Sequence, residues 1–248
     1  MSGSLASANR TPALPWPPPL EPVCCNHALV QRLSRPRDPV KENRAILSLA
    51  HSLKDSRKSL LQDLVEVVLD LCGAYSSGIR ILEEQGGQQV LRWHAIAGEW
   101  PRHLGGVIPR EMSPSRAVLD GNTSRLLTHP KRHFPSLREF TPQIVEALLI
   151  PFHFAGRPIG TIWVVAHNNS RRFDAEDERL LSILEKYAAT AYELLTISGS
   201  LKVLPRRAFR NRECPKRIST FSKRTSGELG IPLGVRNGHE IRTAIESP

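Results

Sequence analysis

The side chains able to do chemistry are scattered along this 248-residue chain. Four histidines, His129, His133, His153 and His167, invite reading as metal ligands, but they belong to different expected elements. Only His129 and His133 have the i, i+4 spacing of a helical metal pair, and Pro130 between them breaks a helix. Surface or core positions are the better reading. The adjacent Lys131-Arg132-His133 could receive an acidic ligand or form a solvated loop. Of the four cysteines, Cys24, Cys25, Cys72 and Cys214, none stands in a CxxC or Cys/His zinc spacing. Cys72 closes an apolar helix face and reads as a small buried hydrophobe. Trp93, Trp100 and Trp163 could stack on a planar ligand, although aromatic residues on a half-buried sheet are more often core. No Walker loop, no nucleophile elbow and no metal set occurs, so the pattern carries no catalytic signature.

The elements that must position these residues are clearest from Glu146 onward. Glu146–Phe154 and Ile159–His167 are apolar runs flanking Ala155-Gly156-Arg157-Pro158, which predicts a β-hairpin. With Phe154 opposite Ile159, one face carries Leu148, Ile150, Phe152, Trp163 and Val165. The other carries Leu149, His153, Ile162 and Val164. Both faces are mostly apolar, so the hairpin is expected to be central and covered on each side. Pro151 calls for a strand irregularity. After Asp174, a good N-cap, apolar residues recur at spacings of three and four to Leu195 and predict a helix. Its apolar surface forms two stripes, one of them left for a partner.

Upstream, helices are expected over Lys41–Leu53 and Arg57–Cys72, the latter ended by Gly73. Strands are expected over Ser76–Glu83 and Val90–Ala97 around a Gln85–Gln88 turn. In the second strand, period two places Leu91, Trp93 and Ala95 on one face and Arg92, His94 and Ile96 on the other. Residues 98–146 are rich in Gly and Pro, with a short helix from Ser113 to Asp120, Ser113 as its N-cap, and a short strand at Ser124–Leu127. A connection this long is usually functional.

The order of apolar strand, Gly156-Arg157-Pro158-Ile159-Gly160 turn, apolar strand, Phe173-Asp174-Ala175-Glu176-Asp177 and amphipathic helix resembles the C-terminal half of a GAF domain. Arg92-Trp93-His94-Ala95-Ile96-Ala97-Gly98 is similar to GAF domains attached to bacterial sensor histidine kinases. The resemblance implies an α/β fold of α+β type, with an antiparallel sheet of five or six strands. Terminal helices would cover one face and a loop-rich pocket the other. It implies a non-catalytic sensory module of signal transduction that binds a small ligand and relays through its terminal helices. Candidate ligand residues are Trp93, His94, Trp100, Ser113, Ser115, His129 and Trp163. Such GAF relatives often have Cys at the position of Ser115, and a serine removes thiol attachment of a chromophore. Ser115 is otherwise expected to face solvent. No cofactor and no metal are expected. Expected partners are a second copy, through the terminal helices, and a histidine kinase or other signalling protein.

Three domains follow: a Pro-rich leader over 1–40, the GAF domain over 41–197 and a basic tail over 198–248. Residues 1–41 carry five Lys/Arg against two Asp/Glu, residues 42–197 carry 18 of each, and residues 198–248 carry 11 against four. The net +10 therefore belongs to the ends, and nucleic acid is not expected as a partner of the domain. Trp16-Pro17-Pro18-Pro19 favours polyproline II and could dock in an SH3-like groove. No run of about 18 apolar residues occurs, and the cysteine usage fits a reducing cytoplasm. Rival readings are a remnant of a hybrid sensor kinase kept as an interaction module, a GAF-type reductase of methionine sulfoxide, and nucleic-acid binding by the tail. The reductase would need several pocket cysteines, and only Cys72 is expected in the domain.

Overall fold

The computed structural model describes residues 24–55 and 59–201. In chain order these form α1 (Asn26–Gln31), α2 (Pro39–Asp55), α3 (Leu60–Cys72), β1 (Ser76–Gln85), β2 (Gln88–Gly98) and β3 (Val107–Pro109). Then come α4 (Ser115–Gly121), β4 (Arg125–Thr128), β5 (Glu146–Phe154), β6 (Arg157–Ala166) and α5 (Ala175–Ile197). Short 3-10 turns fill much of the rest of residues 98–146. Six antiparallel strands run in the order β3-β2-β1-β6-β5-β4, so β1 and β6 are central. The expected α+β architecture is the one observed.

Each side of the sheet has its own core. Ile79, Ile81, Leu148, Ile150, Ile162 and Val164 pack beneath α3 and α5. Trp93, Ile96, Leu149, Trp163 and Val165 pack against Trp100, Phe134, Leu137 and Phe140 from the connecting segment. These faces correct two expectations. The hairpin turns on two residues, Ala155 (φ 51°) and Gly156 (φ 74°), and Phe154 pairs with Arg157. A bulge between Phe152 and His153 then sets Leu148 opposite Val164 and Ile150 opposite Ile162. That is one residue away from the expected register, and a one-residue slip exchanges the faces of a strand. In β2, Ile79 pairs with Ala95 while Arg80 pairs with Trp93, which leaves His94 bulged. The extra residue brings Trp93 and Ile96 to the same face.

The helices follow their signals closely. Gly73 takes the left-handed conformation that ends α3 (φ 54°). Asp174 caps α5 in a reciprocal box with Asp177. Both apolar stripes of α5 are covered within the chain, which removes the expected free stripe. Leu181 is fully buried, Leu195 is 6% exposed, and the Tyr187 hydroxyl donates to the Leu49 carbonyl of α2 at 3.0 Å. Val40, Ile46 and Leu47 of α2 are exposed, as are Leu33 before it and Ile183 and Ile197 of α5, outside the expected stripes.

Residues 1–23 of the expected leader, with its Pro-rich motif, lie outside the described residues, as does the tail from residue 202. Cys24 onward is part of the packed unit. Cys24 bridges to Leu127, Asn26 bonds the backbone of Leu126 and Ser124, and Leu29 is 1% exposed. Arg32 forks onto Glu146 with two 2.8 Å bonds. Cys24 and Cys25 therefore join Cys72 in the folded unit, beyond the single cysteine expected there.

Candidate functional site

The connecting segment lies over the sheet and leaves a half-open cavity of about 20 Å³. Its lining includes Arg80, Trp100, Pro114, Leu137, Leu149 and Trp163. That volume has room for about one water. Local sequence explains the placement. Gly78, two residues before Arg80, lets the Trp163 ring lie on β1: a Cβ there would fall 2.2 Å from Trp163 Cζ2. Alternation then sends Arg80 to the same side as Gly78.

Arg80 is the charge in this apolar lining. It is 4% exposed, and its guanidinium carbon sits 4.4 Å over the Trp93 ring and 5.6 Å from that of Trp163. Its Nη1 donates to Ser115 Oγ at 3.4 Å and Ser113 Oγ at 3.5 Å. Both exceed the 2.7–2.9 Å typical of charge-assisted hydrogen bonds. No carboxylate pairs with it among the described residues, and burial alone pulls its pKa down to about 9. It therefore remains a cation at neutral pH. Arg80 Nε, Trp100 Nε1 and Trp163 Nε1 are buried without an acceptor among the described residues.

The candidates of the sequence divide cleanly. Trp100 and Trp163 line this cavity, and Trp93, Ser113 and Ser115 contact its Arg80. Trp100 meets Phe140 edge-on at 4.9 Å, His167 at 4.8 Å and Trp163 at 5.9 Å. Ser113 takes the Ser115 backbone N–H at 3.2 Å, although α4 starts one residue later than expected and Pro114 is its formal cap. Ser115 does not face solvent. It is fully buried, and its Oγ lies 2.8 Å from Thr161 Oγ1 on β6, because α4 lays that side against the sheet. His94 and His129 fall elsewhere. His94, bulged from β2, bonds Glu83 at 2.7 Å. His129 has a left-handed backbone (φ 48°) and starts a 3-10 turn, Pro130–Arg132, that carries Pro130 rather than its own ring into the lining.

The remaining histidines are dispersed as well. His153 bonds Glu185 and Asn122, and His167 bonds Ser76 and Gln143. Burial holds the His94, His103 and His167 imidazoles below their usual range. No group of three His, Cys, Asp or Glu suited to a metal occurs among the described residues. Cys72 is fully buried, and burial pushes its thiol far up, which makes it a poor nucleophile. No described helix is long and apolar enough to cross a membrane.

Arg80 escaped the sequence reading. Its signal was available: a charge in the middle of a strand, between Ile79 and Ile81, whose partner hairpin is apolar on both faces has no solvent side to occupy.

Solved structures share this fold. The GAF domain of a phosphoenolpyruvate-protein phosphotransferase from Coxiella burnetii superposes with a TM-score of 0.55 at 17% identity, covering 66% of this chain and all of that one. The corresponding Acinetobacter domain gives 0.54 at 18%, covering 63% and 93%. A phycoerythrobilin-bound GAF domain from a cyanobacterial phytochrome gives 0.50 at 12%, covering 67% and all of it. These identities speak to the fold alone. No curated protein sequence matches the chain. The sequence profile of the GAF domain matches residues 54–193, more than half of the chain, and the chain belongs to the GAF domain family.

Proposed function

We propose that this chain is a non-catalytic sensory module of signal transduction. A small ligand enters the space between the sheet and residues 98–146, and the helices on the opposite face carry the response. The observation that carries this reading is the way β6 serves both faces. Trp163 belongs to the pocket core, while its neighbours Ile162 and Val164 pack into the core shared with α3 and α5. A shift of Trp163 on ligand entry therefore reaches those helices through one strand, because packed cores transmit displacement. Catalysis is not proposed, since the site holds no base, no metal set and no low-pKa thiol. Nor is a covalent chromophore, since Ser115 Oγ is engaged with Thr161.

The output is a second copy of the chain and, through it, a signalling partner such as a histidine kinase. Because the expected stripes of α5 are covered, the dimer contact we propose uses the exposed Ile46 and Leu47 of α2. An interaction module left from a larger sensor is the second reading, and differs in having no ligand. Native mass spectrometry of the purified protein reads both points at once. We expect a two-chain species carrying a small non-covalent adduct that denaturation releases. A ligand-free species after purification and supplementation with cell extract would favour the second reading, and a species of one chain would remove the dimer.

A further inference from the structure

The pocket's polar groups specify what it accepts. Arg80 Nε and the indole N–H groups of Trp100 and Trp163 are all donors, all buried, and all without a protein acceptor among the described residues. Buried donors are ordinarily paired, and of the seven buried side-chain nitrogens without a partner among the described residues these three stand on residues lining one cavity. One water, all that the cavity admits, accepts two hydrogen bonds and brings no negative charge. The Arg80 charge needs an anion as well as acceptors, and the faces of Trp93 and Trp163 compensate it only in part.

Given that the pocket is a ligand site, as proposed above, we infer that its ligand is a small monocarboxylate with a flat apolar body. The carboxylate oxygens accept from Arg80 and the two indole N–H groups, and Ser113 and Ser115 hydroxyls complete the polar end. The body lies among Leu137, Leu149 and Trp163. One buried cation balances one negative charge. A second charge would have no partner in an otherwise apolar lining, which argues against phosphates and dicarboxylates. The half-open cavity is too small for such a body as it stands, so entry requires the wall carrying Leu137 and Ile144 to move outward. That wall is made of short 3-10 turns and bends rather than long elements.

The test compares benzoate with its neutral isostere benzamide and the dianion phenyl phosphate, by tryptophan fluorescence and calorimetry at pH 7. Benzoate is expected to bind at least tenfold more tightly than either. Arg80→Met, similar in length and uncharged, is expected to lose benzoate binding at least tenfold while melting no lower than the wild type. Three results each overturn the inference: benzamide or phenyl phosphate matching benzoate, undiminished benzoate binding by Arg80→Met, or no benzoate binding up to about 10 mM, a limit near the weakest affinity worth calling specific. A marked melting loss in Arg80→Met would assign the guanidinium to structure and also overturn it. If benzoate fails while the native protein carries a neutral or cationic adduct, the sensory reading stands and this inference alone falls.

Discussion

Glu146 of β5 and Arg80 of β1 lie on strands flanking β6, both are buried, and they are served in opposite ways. Glu146 is fully enclosed and fully answered. Arg32 forks onto it, Arg172 reaches it at 3.1 Å, and the Phe173 backbone N–H donates at 2.8 Å. Asp177 nearby follows the same rule. Arg171 and Arg35 bond it at 2.6 and 2.7 Å, and the Asp174 N–H at 3.0 Å, against a burial cost that still pushes its pKa up. Arg80 has two long hydroxyl contacts and two aromatic faces. A charge with every partner supplied by the chain is there to fix the fold: Glu146 ties α1 and the start of α5 to the sheet. A charge whose partners are missing from the chain is held for something that arrives from outside. Burial alone does not separate the two, whereas the state of their hydrogen bonds does.

The largest effect should come from removing the answered charge. Glu146→Ala strands Arg32 and Arg172 and leaves the Phe173 N–H without its acceptor. Breaking a buried pair costs about 3–5 kcal/mol. The lower end applies, because the Arg32 and Arg172 side chains keep 25% and 39% exposure. In a domain of this size the melting temperature should fall by roughly 6–12 °C. A loss under about 2 °C would erase the contrast with Arg80→Met, whose melting should not fall.

A smaller effect tests the pocket face by crowding. Gly78→Ala would place a methyl 2.2 Å from Trp163 and 2.7 Å from the Ala95 carbonyl. Overpacking of this kind costs about 1–3 kcal/mol. The near-ultraviolet circular dichroism of the tryptophans should change with it. An unchanged spectrum would mean that Trp163 is not held by β1, and the relay through β6 would lose its first step.

The smallest effect comes with acid. His167 beside Trp100 and His94 beside Glu83 have imidazoles held by burial below the usual value. The unfolded chain then binds protons more readily than the folded one. Stability is complete above about pH 6.5 and falls as pH drops below it toward the folded values. Melting temperature between pH 7.5 and 5.5 should decline in the wild type and decline less in His167→Gln. Equal slopes would show that His167 charges without penalty, and that the pocket face is wetter than its packing implies.

The helical half of the molecule was legible because its signals are local. Asp174, the acidic first turn and the three-four spacing fix α5 within a residue or so, and Gly73 fixes the end of α3. The pocket was legible only in part, because what assigns a strand residue to a face is non-local. The bulge at His94 shifts one register by one, the two-residue turn at Ala155-Gly156 with the bulge after Phe152 shifts the other by one, and none of these leaves a strong mark in the sequence. Alanine at positive φ is an uncommon turn residue, so the four-residue turn looked better. Trp93, Trp100 and Trp163 were found by their chemistry. Ser115 was taken for a surface residue because seven residues of helix carry too little periodicity to reveal the buried side. Arg80 was passed over because an arginine between two isoleucines reads as the wet side of a strand until its cover is known.

The bridge from Cys24 to Leu127 bears on how copies of this chain can meet. A sheet's outermost strand offers a row of open backbone groups to which another chain can add itself, the usual route to uncontrolled aggregation. Here β4 is outermost on one side. The Cys25 N–H donates to the Leu126 carbonyl at 2.8 Å, and the Asn26 side chain takes the Leu126 N–H at 2.8 Å. The chain thereby fills its own docking row. On the other side β3 is three residues long and ends in Pro109, which has no N–H to give. Growth by strand addition is hindered at both margins of the described sheet, and a contact between copies, if it is the one proposed on α2, adds no strand to either sheet.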